Sequence, residues 1–126
     1  MAKLYPPNIE GTIPAFYKEE GDTSTNIALV VPFSMNKAVS KSEVKGFSLK
    51  LKYVDGTLID TFSTLSTNLI ASSYYDIEED MKVVFSLNSI SKILKVGSYY
   101  KVQIAYIDET NTVGYYSTIG VTKYTT

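Results

Sequence analysis

The stretch LKVGSYYKVQIAY, Leu94 to Tyr106, decides the fold. Tyr100, Val102, Ile104 and Tyr106 fall on one face of a strand, and Lys101, Gln103 and Ala105 fall on the other. A period of two with one apolar face describes a β-strand buried on one side and wet on the other. Just ahead of it, Gly97 can adopt a backbone angle that a β-carbon penalises, which lets the chain cross from one sheet to another. Leu94 stands six residues before Tyr100. Tyr100 is thereby placed for a tyrosine corner, in which a buried ring packs under the connection and its hydroxyl bonds back to the backbone just upstream.

The spacing Leu94, Gly97, Ser98, Tyr100, Val102, Ile104 resembles the fibronectin type III pattern, with Val96 where that family usually carries proline. The resemblance implies an all-β domain: a seven- to eight-stranded antiparallel β-sandwich, fibronectin type III or immunoglobulin-like, spanning residues 1–126 as a single unit. Strands read outward from the corner fit this expectation. Asn8 to Tyr17 reads as an edge strand A broken at Pro14, where proline is tolerated. Ile27, Leu29, Val31 and Phe33 alternate as a largely buried strand B. A polar connection from Ser34 to Gly46 follows, in which Ser40 and Glu43 are spaced as a capping box for one helical turn. Phe47, Leu49, Leu51 and Tyr53 then mark strand C.

Asp55 and Gly56 form a two-residue type I′ hairpin signal, with strand C′ returning over Thr57 to Phe62. The serine- and threonine-rich stretch after it leaves pairing open, and strand D is expected around Leu69 to Ser73. Met81, Val83, Phe85 and Leu87 mark strand E. A short helical turn before strand F is expected over Asn88 to Leu94, with Asn88 as cap and Ile90, Ile93 and Leu94 on one face. Strand F covers Tyr99 to Ile107, and strand G covers Tyr115 to Tyr124. Many fibronectin type III domains carry a tryptophan on strand B; here Phe33 or Phe47 is expected to fill that volume.

Composition narrows the functional classes. At 126 residues the chain suits one domain, which buries roughly two thirds of the surface its unfolded chain exposes. Cysteine and histidine are both absent, which removes disulfides, thiolate metal sites and the commonest general base. The 12 basic residues are all lysine and stand against 13 acidic ones. Without guanidinium forks for bidentate phosphate and guanine contacts, nucleic acid is a poor partner. The opening MAKLYPPNIEG is not a secretory signal, and no uncharged apolar run reaches the ~18 residues of a membrane helix. Synthesis in the cytoplasm without membrane insertion is therefore expected.

The acids Asp76, Glu78, Glu79 and Asp80 suggest oxygen ligation of calcium, but they lack the glycine and the alternation of a calcium loop and read better as a solvated loop. Glu19, Glu20 and Asp22 read the same way. No phosphate loop or dinucleotide fingerprint is present. A carboxylate-dependent glycosidase would need two acids about 5–10 Å apart across a cleft. The expectation is no catalytic, cofactor-binding or metal residue, and no enzyme. Eleven tyrosines bias the surface toward recognition. The candidate binding residues are Tyr74, Tyr75, Tyr115 and Tyr116, together with Asp108 and Asn111 of the loop after strand F.

The stretches AKLYPPNIEGTIPAFY, VVPFSMNKAVS and YKVQIAYIDETNTVGYYSTIGVTKYTT resemble the start of minor structural proteins of tailed phages. That resemblance implies a non-enzymatic virion module at the tail or baseplate. It would act as a spacer or docking domain toward other virion proteins or copies of itself. The alternative is a carbohydrate-binding or host-adhesion module, which would use exposed tyrosines and the loops Ser34 to Gly46 and Asp108 to Val113.

Overall fold

A computed structural model of the chain describes residues 3–17, 27–65 and 74–125. Within them lie the strands β1 (Ala15–Tyr17), β2 (Ala28–Pro32), β3 (Gly46–Tyr53), β4 (Leu58–Leu65), β5 (Tyr74–Asp76), β6 (Lys82–Ser86), β7 (Tyr99–Ile107) and β8 (Gly120–Lys123). They form two four-stranded sheets, in the orders β1-β2-β6-β5 and β4-β3-β7-β8. Every pairing is antiparallel. The chain is an all-β sandwich.

The core is what the alternation dictates. Leu29 and Val31 of β2, Val83 and Phe85 of β6, Leu49 and Leu51 of β3, and Val102 and Ile104 of β7 are essentially excluded from solvent between the sheets. Burying each such side chain contributes about 1.5–3 kcal/mol before the entropy of ordering is counted. Phe33 and Phe47 pack against each other in the core, their ring centroids 4.9 Å apart. Tyr75 and Tyr106 complete this aromatic cluster at 4.9 and 5.3 Å from Phe47. The Tyr106 hydroxyl accepts from Asn36 N at 3.1 Å and donates to Met35 Sδ at 3.4 Å. Burial pushes its pKa up.

The helical signals fall as short 3₁₀ turns. Lys41–Glu43 follows Ser40, and the capping box is made in both directions. Asn88–Ile90 precedes β7, but Leu87 takes the cap position and no side chain caps it. Asn88 is not the cap expected of it, because its amide oxygen accepts from Ile27 N at 2.9 Å and ties the turn to the start of β2. Ile90 and Leu94 are buried, whereas Ile93 is 42% exposed.

Several boundaries differ from the sequence reading. Strand A shrinks to β1, preceded by an isolated bridge between Asn8 and Ser34. The strand expected around Leu69 to Ser73 lies outside the described residues, and β5 forms at Tyr74–Asp76. β4 runs to Leu65, beyond the expected end at Phe62.

The β3–β4 connection is not a type I′ turn. The only non-glycine residues with positive φ among those described are Met81 and Asn111, so Asp55 is not left-handed. Gly56 N instead bonds to Tyr53 O at 2.9 Å, and Gly56 itself has φ +95°. With Tyr53 N donating to Thr57 O at 2.8 Å, this is a three-residue loop ending in a glycine bulge, and a separate register shift falls between Leu51 and Lys52. The Asp55 carboxylate accepts from Thr57 N at 2.8 Å and favours that shape.

Strand G is likewise shorter than expected. Beside β7, residues 113–119 run without regular pairing apart from a bridge between Val113 and Ile107. The cause is Ser117. Its backbone N–H donates to Ile104 O at 2.8 Å, but its side-chain oxygen, not its carbonyl, accepts from Ile104 N at 3.1 Å. A hydroxyl standing in for a ladder carbonyl breaks the register, and regular pairing resumes only at Gly120.

Candidate functional site

The corner holds β7 in place. The Tyr100 ring is buried, and its hydroxyl accepts from Lys95 N at 2.8 Å. The upstream partner is thus an N–H donor. Gly97 has φ +89° and donates to Tyr124 O at 2.7 Å, while Leu94 is buried beneath the turn. Leu94, Gly97 and Tyr100 are brought together as framework.

The six residues singled out as a binding surface are not brought together. Tyr74 and Tyr75 sit on β5 of one sheet, and Tyr115 and Tyr116 run beside β7 of the other. Tyr74 is half-exposed and Tyr75 points at Phe47 in the core. Tyr115 is exposed, with Lys3 Nζ 5.5 Å from its ring centre. Asp108 is buried and binds its own loop, accepting from Thr110 N, Thr110 Oγ1 and Thr112 N at 2.9, 2.7 and 3.0 Å. Asn111 stays exposed at the loop tip with φ +62°.

Asp76 and Asp55 are held by their own loops in the same manner. Asp76 accepts from Glu78 N and Glu79 N at 2.9 and 3.0 Å. The Glu79 bond is the main cause holding its pKa below the usual carboxylate range. The Thr110 hydroxyl does the same for Asp108, and the Thr57 N–H for Asp55. A carboxyl in that state is a loop clasp; a general acid needs the opposite shift. A cleft of about 460 Å³ at the Tyr53–Tyr99 end carries Asp55 as its acid. A second, of about 560 Å³ along Pro6 to Glu10, carries Glu10. Neither pairs two acids.

Pattern reading treated the outward residues of β3 and β7 as the plain wet face, yet the register gives them a shape. Lys52 and Lys101 are directly opposite each other. Lys50 lies two residues along β3, on the same face. On the far side Lys123 of β8 is opposite Tyr99, two residues from Lys101. Lysines opposed across strands repel. Their nearby groups are mainly uncharged: Lys52 Nζ donates to Gln103 Oε1 at 2.8 Å, Lys50 Nζ lies 4.3 Å above the Tyr116 ring, and Lys123 Nζ lies 5.6 Å from the Tyr99 ring centre. The described ion pairs, Lys41–Glu78 and Lys82–Asp80, are elsewhere. Asp55 feels the charge of Lys101, weakly beside its hydrogen bonds to Thr57.

Rings border this face. The Tyr116 hydroxyl shares a 2.7 Å hydrogen bond with Ser48, and Ser48 and its register partner Ala105 are buried. Ala105 is therefore not on a wet surface. Tyr99 is 52% exposed at the other end. The signal available in sequence was Lys50 and Lys52 at alternate positions of strand C and Lys101 on strand F, but seeing a cluster required knowing their register.

No family model and no curated protein matches the chain. Among solved structures, one described as a myokine superposes with a TM-score of 0.52 at 12% identity, covering 96% of this chain and 97% of that one. At that identity the likeness speaks for the fold alone, over nearly the whole length of both chains.

Proposed function

We propose that this domain is a non-enzymatic docking module of the fibronectin type III kind, working as a component of a phage virion. One observation carries the docking half of this reading. The outward face of β3, β7 and β8 gathers four of the 12 lysines in neighbouring register, held mainly by neutral groups. The carboxylates of Asp55, Asp76 and Asp108, by contrast, are bound up in their own turns. Other virion proteins or further copies of the chain are the partners this reading expects, and the tail or baseplate is the place. The fibronectin type III assignment draws support from the corner at Leu94, Gly97 and Tyr100. The virion half rests on the resemblance of the three quoted stretches.

The test is mass spectrometry of purified particles from the phage or prophage that encodes the chain. Peptides of this sequence in stoichiometric amount are expected. Their absence from intact particles overturns the virion assignment and leaves the binding face to be explained separately. Host-surface carbohydrate is the second reading. The exposed Tyr99 ring beside Lys123 favours it, which moves the expected contact from the loops to a sheet face.

A further inference from the structure

The four lysines are not scattered over their sheet. Read through the register, Lys50, the opposed pair Lys52 and Lys101, and Lys123 form one diagonal crossing β3, β7 and β8. Alternate residues of a strand are roughly 6.8 Å apart and neighbouring strands roughly 4.8 Å apart. The row is thus on the order of 17 Å long. Tyr116 borders one end and Tyr99 the other. A stepped row of positive charge with a ring at each end matches an extended, negatively charged chain better than a compact ion.

We infer that this diagonal binds an anionic polysaccharide, with the lysine ammonium groups on its carboxylate or sulfate groups and the Tyr99 ring against a sugar face. The inference rests on the second, carbohydrate reading and names the class of sugar. Two general tendencies select this class of polyanion. Protein–protein interfaces are depleted in lysine and enriched in arginine, whereas this face is all lysine in a chain without arginine. Nucleic-acid binders carry a strong positive excess and use guanidinium groups, whereas this chain has a net charge of −1. A polysaccharide such as alginate, with one carboxylate per sugar, has a lower charge density than duplex DNA, and point-like ammonium groups suffice for it. The face also exposes hydroxyls at Thr61 and Ser63 of β4, level with Lys50 and Ser48.

The test is binding of the full chain to alginate and to heparin, with dextran as the uncharged control and polyglutamate and oligo-dT as other polyanions. Alginate or heparin should bind, dextran should not, and affinity should fall at least about tenfold from about 0.01 M to about 0.15 M salt. Lys52→Glu/Lys101→Glu should weaken binding by at least about tenfold, since it reverses the centre of the row. Lys37→Glu/Lys45→Glu makes the same change in net charge elsewhere and, compared at about 0.15 M salt where charges beyond roughly 8 Å are screened, should stay within about twofold. The neutral pair Lys52→Gln/Lys101→Gln, checked for an unchanged unfolding transition, separates lost binding from lost fold.

No binding of either acidic polysaccharide at low salt overturns the inference, as does equal binding by the Lys52/Lys101 variants. Polyglutamate or oligo-dT bound as tightly as alginate overturns the choice of polysaccharide. None of these outcomes depends on whether the chain is found in particles, so the virion reading stands or falls by its own measurement.

Discussion

The two faces of β3 and β7 obey opposite rules. Inward, Leu49 and Leu51 meet Val102 and Ile104 with no solvent left between the sheets. Outward, Lys52 is set against Lys101, a pairing that works against the folded state. The same backbone thus carries one face that holds the sandwich together and one that weakens it slightly. The difference teaches where selection for stability stops: it fills the inner face and leaves on the outer face an arrangement best explained by something outside the chain.

The largest break in this contrast should come from the inner face. Leu49→Ala leaves a cavity at the centre of β3 and should cost about 2–5 kcal/mol in urea unfolding. A cost under about 1 kcal/mol would show that the core collapses around the gap and is less closely packed than the burial implies. Tyr100→Phe keeps the ring and removes the acceptor for Lys95 N, so a loss of about 1–3 kcal/mol is expected. Amide exchange at Lys95 should accelerate with it. Unchanged exchange there would mean that the hydroxyl is dispensable to the corner.

The inner face also holds a lapse. Thr64 lies opposite Phe47, and its hydroxyl is buried without a partner. Thr64→Val keeps the shape and should raise stability by about 1 kcal/mol; calorimetry showing a loss would reveal a hydrogen bond for that oxygen. The smallest effect belongs to the outer face. Lys52→Glu turns a repulsive cross-strand pair into an attractive one and should add about 0.2–1 kcal/mol while weakening polyanion binding. A variant that gains stability and loses binding would sharpen the contrast, and one that loses both would dissolve it.

How much of this was legible in the sequence depends on whether the signal was local. Strands B, C and F could be read because apolar residues recur every second position, and that period is a property of the strand itself. The Asp55–Gly56 pair misled because the same dipeptide ends a three-residue turn as readily as it fills a two-residue one, and the difference lies in whether Asp55 is left-handed. Ser117 gave no warning that its side chain would take a backbone role. The tyrosine pairs were read as one recognition set, although β5 and the run beside β7 belong to different sheets. The lysine row was present as alternate residues but became a row only through pairing between distant strands.

The first and last segments of the chain are fastened to each other. Leu4 O receives Tyr115 N at 3.0 Å, Pro14 O receives Thr122 Oγ1 at 2.6 Å across 108 positions of sequence, and a β-carbon on Gly114 would collide with Leu4 O. During synthesis the opening segment emerges first and then waits for its partners. At ordinary elongation rates that delay is roughly 5–20 s. Until then strand β8 is missing from its sheet, so the sandwich can close only once the whole stretch is outside the ribosome. A nascent chain stalled before Tyr115 should therefore stay protease-sensitive over its opening residues, and one extended by a linker until Tyr124 clears the ribosome should have both ends protected together.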